Sequence, residues 1–271
     1  MKQSSVEFIA QVVQAVVSSR RYDQIQHGLV ERIAISEANK IKKLKDATKA
    51  TKNKLHQVAG AYLQGDLPYM EWLAALKVAR QSKDPQALRQ ICRNILRAHS
   101  STKERLEYLD RYYTDIFSCL PPVNKILDVA CGLNPIAIPW MNLPAEVEYL
   151  ALDIYQDLMG FLQEFFSLLP IKGQAHPVDV LGLQNFPQVD LVFILKTIPC
   201  LEQIEKTAGQ WLIDRLNADH LVVSFPTYSL GGRKKNMPEN YEAHFYDLIK
   251  GKDWQIHKLT FPTEIVFVIR K

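Results

Sequence analysis

Apolar residues in the first part of the chain recur at intervals of three and four, which is the spacing of one face of an α-helix. The first such set is Ile9, Val12, Val13, Val16 and Val17. The pattern predicts helices over residues 6–18, 22–57, 69–79 and 85–97, with glycine and proline breaks between the later ones. No strand-like alternation interrupts these helices, so the opening region is predicted to be all-helical.

One more helix is predicted before the pattern changes. Ser101 is followed three residues later by Glu104, which is the spacing of a capping box, and Pro121-Pro122 would end the helix. After these prolines, short apolar runs alternate with helical segments near residues 155–169 and 201–217. The runs predicted as strands are KILDVA, EYLALDI, AHPVDVL, VDLVFIL and HLVVSFP.

Alternating strands and helices indicate a mostly parallel sheet that is covered on both faces. The last two runs, WQIHKLTF and EIVFVIRK, have no helix between them and are predicted to form an antiparallel hairpin. We therefore predict two domains: an all-helical N-terminal domain over residues 1–98 and an α/β, Rossmann-like domain over residues 99–271.

Charge differs between the two predicted domains. Residues 1–100 carry 17 Lys and Arg against 8 Asp and Glu, whereas the remaining residues carry 16 against 21. Part of the excess lies in four lysines that the predicted helix would place on one face: Lys42, Lys45, Lys49 and Lys52. Although a solvated helix face is possible, only Asp46 offsets these charges. The cluster favours an anionic partner, and phosphate more than lipid, because bulky apolar anchors are absent.

Other compositional features exclude whole classes of protein. No apolar run approaches the roughly 18 residues of a membrane span. The four cysteines form no CxxC pair or other zinc-binding spacing. We expect reduced thiols, no bound metal, no membrane association and a cytoplasmic location.

Residues 126–140, ILDVACGLNPIAIPW, combine a predicted strand, an acid and a turn of small residues. The GxGxxG pattern of dinucleotide-binding folds is missing. The spacing Asp128-x-Ala130-x-Gly132-x-Asn134 instead matches the first motif of class I S-adenosylmethionine methyltransferases. In such a sheet, ligands bind beyond the carboxyl ends of the strands. The turn therefore predicts a Rossmann-like class I methyltransferase fold with S-adenosyl-L-methionine as cofactor.

Two further acids are predicted at strand ends. Asp153 follows Gly132 by 21 residues and could accept hydrogen bonds from both ribose hydroxyls of the cofactor. Asp179 could accept from the adenine amino group, with Val180 and Leu195 as apolar walls. Each acid alone could equally cap the next helix, but three strand ends in register favour a cofactor site.

Four segments together resemble one methyltransferase family: HSSTKERL, ILDVACGLNP, the LK that ends the fourth strand, and FPTYSLGGRKKNM. They are similar to the aminoglycoside-resistance 16S rRNA (guanine-N7) methyltransferases of the Arm/Rmt type, and the likeness covers about residues 40–271. That family modifies N7 of guanine 1405 in the decoding A site. The resemblance implies that the helical domain grips 16S rRNA and that the substrate is the assembled 30S subunit.

The resemblance also implies a set of cofactor contacts, with Arg105 pairing with the carboxylate of S-adenosylmethionine. The implied contacts are His99, Ser100, Ser101, Arg105, Ala130, Gly132, Asp153, Ile154, Asp179, Val180, Leu195 and Gln203.

Two residues are predicted to act at the substrate as catalytic residues: Lys196 and Met237. Lys196 could hold the guanine O6 or a phosphate, and a structural ion pair is an equal alternative. In the segment SLGGRKKNMPENY, three basic residues offer phosphate contacts, and Met237 or Tyr228 could pack against a displaced base. The three basic residues are Arg233, Lys234 and Lys235. An exposed basic turn is the alternative for them.

Three other functions remain open at this point. Pro199-Cys200 could indicate a cytosine C5 methyltransferase, which needs a nucleophilic cysteine. The chain could also be an RNA-binding protein with a disabled methyltransferase fold, or a small-molecule methyltransferase. Guanine N7 methylation fits the missing Asp/Asn-Pro-Pro-Tyr box, because N7 has an in-plane lone pair and no proton to lose.

Overall fold

The computed structural model describes residues 3–60, 67–228 and 237–271. Its first half is helical. The helices are α1 (Gln3–Val17), α2 (His27–Ala38), α3 (Leu44–Leu55), α4 (Tyr69–Gln81), α5 (Pro85–Leu96), α6 (Ser100–Lys103) and α7 (Leu109–Ser118), with a π-helical segment, His56–Gly60, directly after α3. Every described helix is too short or too polar to cross a membrane.

The single helix predicted over residues 22–57 is wrong. The chain leaves α2 after Ala38 and turns before α3 begins at Leu44. Both helices bury apolar faces in a core that they share with α1, in which Val12, Ile33 and Leu55 are at most 2% exposed. A straight helix could not place both faces on one core, so tertiary packing overrides the helical pattern.

The capping box predicted at Ser101 is also wrong. His99 is the N-cap residue, Ser101 lies inside the four-residue α6, and a series of turns separates α6 from α7. Glu104 is the C-cap residue of α6, and its carboxylate contacts Lys196, 92 residues away, instead of closing a capping box. The long-range ion pair replaces the local bond that the spacing suggested.

The described residues form a sheet of seven strands in the order β3-β2-β1-β4-β5-β7-β6. The strands are β1 (Lys125–Val129), β2 (Glu148–Asp153), β3 (Lys172–Pro177), β4 (Val189–Leu195), β5 (Ala218–Pro226), β6 (Gln255–Phe261) and β7 (Glu264–Arg270). Strands β1 to β5 pair in parallel, and β7 is antiparallel to β5 and β6. The predicted parallel sheet and the terminal hairpin are confirmed.

Helices connect the strands and cover both faces of the sheet. They are α8 (Ile138–Met141), α9 (Gln156–Phe166), α10 (Ile198–Ile204), α11 (Ala208–Arg215) and α12 (Met237–Leu248). The one helix predicted near residues 201–217 is two, α10 and α11. They pack closely, since a Cβ on Gly209 would lie 2.8 Å from the Ile198 side chain.

The helices before residue 98 belong to two different cores. Helices α1 to α3 surround their own core, but α4 and α5 pack on the sheet, where Leu76 and Ile95 share a core with Tyr149 and Phe165. A separate core fills the opposite face of the sheet, beneath α10, α11 and α12. The domain boundary at residue 98 stays a prediction.

A short backbone contact attaches the α1–α3 region to the end of β2. Ile25 forms an antiparallel bridge with Tyr155. On either side of it, Gln26 N–H donates to Ile154 O at 2.7 Å, and Gln156 N–H donates to Gln24 O at 2.8 Å. The N-terminal helices are thereby fixed against the residues that follow Asp153.

Candidate cofactor and catalytic site

A cavity opens where the parallel strands end, at the edge that the sequence predicted for ligand binding. Residues of the predicted cofactor set that line this cavity are His99, Ser101, Arg105, Ala130, Gly132, Asp153, Ile154, Asp179, Val180 and Leu195. Lys196 lines it as well. The structure therefore brings together residues spread over about a hundred positions of sequence.

Two predicted residues lie outside the described wall of this cavity. Gln203 is exposed on α10, while its neighbours Leu201 and Ile204 face the cavity. Ser100 is half-buried on α6 between two lining residues, His99 and Ser101. Consecutive residues of a helix point in different directions, and a motif matched by sequence position does not separate them.

The turn after β1 requires a glycine at one position. Gly132 has a φ of 49°, in the left-handed region, and a Cβ there would lie 2.9 Å from His99 Nε2. Ala130 adopts a φ of 51°, which costs a residue with a side chain about 1 kcal/mol or more. Such strain in a turn that faces a cavity is typical of functional sites.

The two strand-end acids form what we call the acidic end of the cavity: Asp153 and Asp179. The Asp153 carboxylate accepts hydrogen bonds from Gly132 N–H at 2.8 Å and Ile154 N–H at 2.7 Å. Burial raises the pKa of Asp153, and these backbone bonds act in the opposite direction. Asp179 lies two residues beyond β3 and caps a short 3₁₀ turn by accepting from Leu181 N–H at 3.1 Å.

Asp179 also forms an ion pair with the N-terminal helices. Arg32 Nε, on α2, donates to Asp179 Oδ2 at 2.8 Å, and the side chains are 33% and 7% exposed. Asp179 therefore has one carboxylate oxygen bonded to its own turn and the other to a different part of the chain.

On another part of the wall lies what we call the cationic end: Arg105 and Lys196. The Arg105 guanidinium is 1% exposed and binds Glu264 through Nε and Nη2, each at 2.7 Å. Tyr112 OH donates to Glu264 Oε1 at 2.8 Å. Burial alone would raise the pKa of Glu264, but Arg105 and Lys196 together hold it at about 2. Glu264 is therefore ionised at neutral pH.

Lys196 lies among acids at the end of β4. Its Nζ is 2.5 Å from Glu104 Oε2 and 3.5 Å from Glu264 Oε2. Its backbone has a φ of 57°, and its N–H donates to Ser224 Oγ at 3.0 Å. Lys196 thus lines the cavity with the charge of its ammonium balanced by two carboxylates, which supports the ion-pair interpretation of this lysine.

A polar network continues from Arg105 below the cavity. Arg105 Nη1 donates to Asn134 Oδ1 at 3.2 Å, and Tyr113 OH donates to the same oxygen at 2.6 Å. Asn134 Nδ2 in turn donates to Asp128 Oδ2 at 2.8 Å. The acid and the asparagine of the first motif are therefore linked to Arg105, and the network fixes the turn between them.

His99 lies between the two ends of the cavity and is neutral at physiological pH. Burial lowers the pKa of His99 to about 3, and the positive charges of Arg105 and Lys196 act in the same direction. A neutral imidazole against Gly132 adds no charge to the cavity.

Sequence reasoning missed two groups of residues. Leu29, Val58 and Ala59 bring the N-terminal helices into the cavity wall. No local signal in the sequence says which part of the fold a buried side chain packs against. Glu264 was also missed, although an acid at the start of the apolar run EIVFVIR is a signal that could have found it.

The four lysines predicted to bind RNA do not all lie on one helix face. Lys45 and Lys49 are exposed on α3, opposite its buried face. Lys42 precedes α3, so the prediction of one helix face for all four lysines is wrong. Lys52 bonds within the N-terminal helical region instead. Its ammonium donates to Ser19 Oγ, and its Nζ lies 5.9 Å from the centroid of the Tyr22 ring.

Most of the segment between β5 and α12 lies outside the residues that the structure describes. Arg233, Lys234 and Lys235 lie outside the described residues. Met237 begins α12, and its side chain also lies outside the description. Within residues 3–60, 67–228 and 237–271, no group of three or more His, Cys, Asp or Glu side chains could hold a metal ion.

Five parallel strands, a glycine turn after β1 and acids after β2 and β3 define a class I, S-adenosylmethionine-dependent methyltransferase fold. Comparison with known proteins gives the family. Residues 18–268 match the model described as ribosomal RNA methyltransferase (FmrO), and the chain belongs to this family.

Two relatives and two solved structures illustrate the similarity. The chain is 37% identical over 265 residues, 97% of each protein, to a 16S rRNA (guanine(1405)-N(7))-methyltransferase of Micromonospora echinospora. It is 32% identical to the enzyme of that name from Serratia marcescens, with 95% and 96% covered. The structure of 16S rRNA methyltransferase RmtF with S-adenosyl-L-homocysteine superimposes with a TM-score of 0.83 at 27% identity, covering 100% and 99%. That of the 16S rRNA methylase RmtB gives 0.77 at 30% identity, covering 97% and 98%.

Proposed function

We propose that the protein transfers a methyl group from S-adenosyl-L-methionine to N7 of the guanine that corresponds to position 1405 of 16S rRNA, within the assembled 30S subunit. The observation that carries the proposal is the cavity at the strand ends, with acids at one end and a held guanidinium at the other. The names of the full-length relatives supply the target base. Because ribosomes are cytoplasmic, the reaction would take place in the cytoplasm. Its consequence would be aminoglycoside resistance.

The lining residues fit the cofactor. Gly132 has no Cβ, so the His99 imidazole can pack directly against the turn that lines the cavity. Asp153 would accept from the ribose hydroxyls and Asp179 from the adenine amino group, with Val180 and Leu195 against the ring. Arg105, oriented by Glu264, would pair with the methionine carboxylate.

The bound cofactor would supply an electrophilic methyl group on a sulfonium sulfur. Guanine N7 needs no general base, so the protein must align the reacting atoms and balance charge. If the Lys196 ammonium had no counterion, it would repel a purine that becomes positively charged during the reaction. Glu104 and Glu264 offset this charge, which removes the conflict and leaves Lys196 able to donate to the guanine O6.

The rRNA surface would include Lys45 and Lys49, together with the predicted basic residues Arg233, Lys234 and Lys235. Binding should depend on salt, because each neutralised phosphate releases counterions. Replacing Lys45 and Lys49 together by glutamine should weaken 30S binding and make its salt dependence shallower. The matched control is Lys125→Gln with Lys172→Gln, which removes two exposed charges at the opposite ends of the strands. Equal effects of the two pairs would contradict the proposed surface.

The central test is to incubate the protein and labelled cofactor with intact 30S subunits and, separately, with naked 16S rRNA. Methylated guanine is then located by chemical strand scission. We expect one scission site, at the base equivalent to 1405, with intact subunits as the better substrate. Label on a cytosine, or no label at all, would contradict the proposal.

A catalytically disabled RNA-binding protein is the remaining alternative from another functional class. The intact turn at Gly132 and both strand-end acids argue against it. Isothermal titration with S-adenosyl-L-homocysteine separates the two, because a disabled protein would bind subunits but not this ligand.

A further inference from the structure

The ion pair between Arg32 and Asp179 joins two regions with different predicted tasks. Arg32 belongs to α2 of the N-terminal helices, and Asp179 belongs to the acidic end of the cavity. The bond is direct, at 2.8 Å between Nε and Oδ2. Because the Leu181 N–H holds the other oxygen, the orientation of the Asp179 carboxylate is set from both sides.

Two other contacts bring the same region to the same part of the cavity. Backbone hydrogen bonds flank the bridge between Ile25 and Tyr155, directly after Asp153. Apolar side chains from α2 and the π-helical segment, Leu29, Val58 and Ala59, line the cavity beside the acids. The N-terminal helices are thus part of the cofactor-cavity wall as well as a candidate surface for RNA.

We propose that Arg32 is a positioning residue that sets purine specificity: by holding the Asp179 carboxylate, it makes the site select a 6-amino purine over a 6-oxo purine. The inference rests on the proposed placement of adenine at Asp179. Arg32 acts through Asp179 and is not itself a catalytic residue.

The selectivity follows from hydrogen-bonding capacity. An ionised carboxylate only accepts hydrogen bonds, and the 6-amino group of adenine donates them. The 6-oxo group of hypoxanthine is an acceptor, so it would face the carboxylate as acceptor against acceptor. Without Arg32, the carboxylate keeps only the bond from its own turn on one oxygen. It could then rotate away from the 6-amino group, and this change weakens the discrimination.

Removal of Arg32 should leave the fold intact, which makes a clean test possible. The Arg32 side chain is 33% exposed, and when it is replaced the Asp179 carboxylate keeps its hydrogen bond from Leu181 N–H. The control is Arg80→Gln, which replaces an exposed arginine on α4, away from the cavity wall. Thermal unfolding of each variant checks that the proteins are folded.

The experiment is isothermal titration of the full-length protein with S-adenosyl-L-homocysteine and with S-inosyl-L-homocysteine. We expect the unmodified protein and Arg80→Gln to prefer the adenosyl ligand by about 100-fold, in line with the loss of a charge-assisted hydrogen bond and the repulsion between two acceptors. Arg32→Gln should bind the adenosyl ligand about tenfold more weakly and the inosyl ligand almost unchanged. Arg32→Lys, which keeps the charge, should restore part of the preference.

The outcomes separate this inference from the proposed function. If Arg32→Gln weakens both ligands equally, or neither, Arg32 has no role in specificity and the inference is overturned. Asp179→Asn supplies an amide donor and should bring the two affinities together. If it leaves their ratio unchanged, the placement of adenine at Asp179 is wrong. If Asp179→Asn changes the ratio and Arg32→Gln does not, only the inference fails.

Discussion

The acidic and cationic ends of the cavity are built in different ways. At the acidic end, Asp153 and Asp179 are each 8% exposed, and their partners are backbone N–H groups and the partly exposed Arg32. At the cationic end, Arg105 and Glu264 are at most 1% exposed and bind each other through two hydrogen bonds. One end is supported by local turns, whereas the other is part of the protein core.

This difference separates binding from stability. A buried ion pair contributes little net stability when complete, but removing one partner leaves an unpaired charge in the core. Changes at the cationic end should therefore unfold the protein before they reveal a role in binding. Changes at the acidic end should alter ligand affinity in a protein that is still folded.

The largest expected effect is at Glu264. Glu264→Gln should lower the free energy of unfolding by about 3–5 kcal/mol, because Arg105 keeps its buried charge without a counterion. Urea unfolding measures the loss. Arg32→Gln, at the acidic end, should cost less than about 1 kcal/mol in the same assay. The double change Arg105→Met with Glu264→Met should recover part of the loss. Similar costs for Glu264→Gln and Arg32→Gln would show that the two ends contribute equally to stability.

A smaller effect is expected at Asp153, and on affinity more than on stability. Asp153→Asn should weaken S-adenosyl-L-homocysteine binding by roughly 30-fold, about 2 kcal/mol, because an amide accepts fewer bonds from the ribose hydroxyls. Titration calorimetry gives the affinity, and thermal unfolding shows whether the fold is kept. Unchanged affinity would remove Asp153 from the site.

The pH dependence of stability tests the buried polar network that adjoins the cationic end. Burial raises the pKa of Asp128 to about 6, although bonds from Asn134 and Tyr149 act against this. A carboxyl group whose pKa is raised in the folded state stabilises the protein below its unfolded pKa, and this contribution disappears as pH rises through 6.

Asp128→Asn removes that titration and keeps an oxygen that can accept from both Asn134 and Tyr149. Relative to this variant, the unmodified protein should lose about 1 kcal/mol of unfolding free energy between pH 5 and pH 7. Urea unfolding at both values measures the difference. His99 is present in both proteins, so its own titration cancels. A constant difference would show that the Asp128 pKa is not raised.

The smallest effect is expected at Cys200, which lies on the cavity wall beside Lys196 and has its Sγ 3.6 Å from Lys196 O. Cys200→Ala should change kcat/KM by less than about twofold, because a loss of one weak thiol contact is worth a few tenths of a kcal/mol. Single-turnover methylation of 30S subunits provides the measurement. Complete loss of activity in a folded variant would favour the cytosine C5 mechanism.

The difference between the two ends also explains how much of the site the sequence could predict. Strand-end acids and the Gly132 turn could be located because parallel strands bring their carboxyl ends to one edge. The helix break after Ala38 could not be predicted, because it depends on which core each helix face joins. The ends of α6 could not be predicted either, because they depend on the charged group that Glu104 contacts. Arg32 and Glu264 depend on partners 147 and 159 residues away. No local pattern specifies pairings of that kind.

The distance in sequence between Arg32 and Asp179 has a consequence for biosynthesis. A ribosome makes α1, α2 and α3 before their partners after β2 and β3, which emerge more than a hundred residues later. The helices can form a core of their own early, whereas their docking must wait for most of the sheet. The nascent chain would acquire its nucleoside pocket only after the strand-end residues and α10 have emerged, so a premature stop within the sheet would release a product unable to retain the methyl donor.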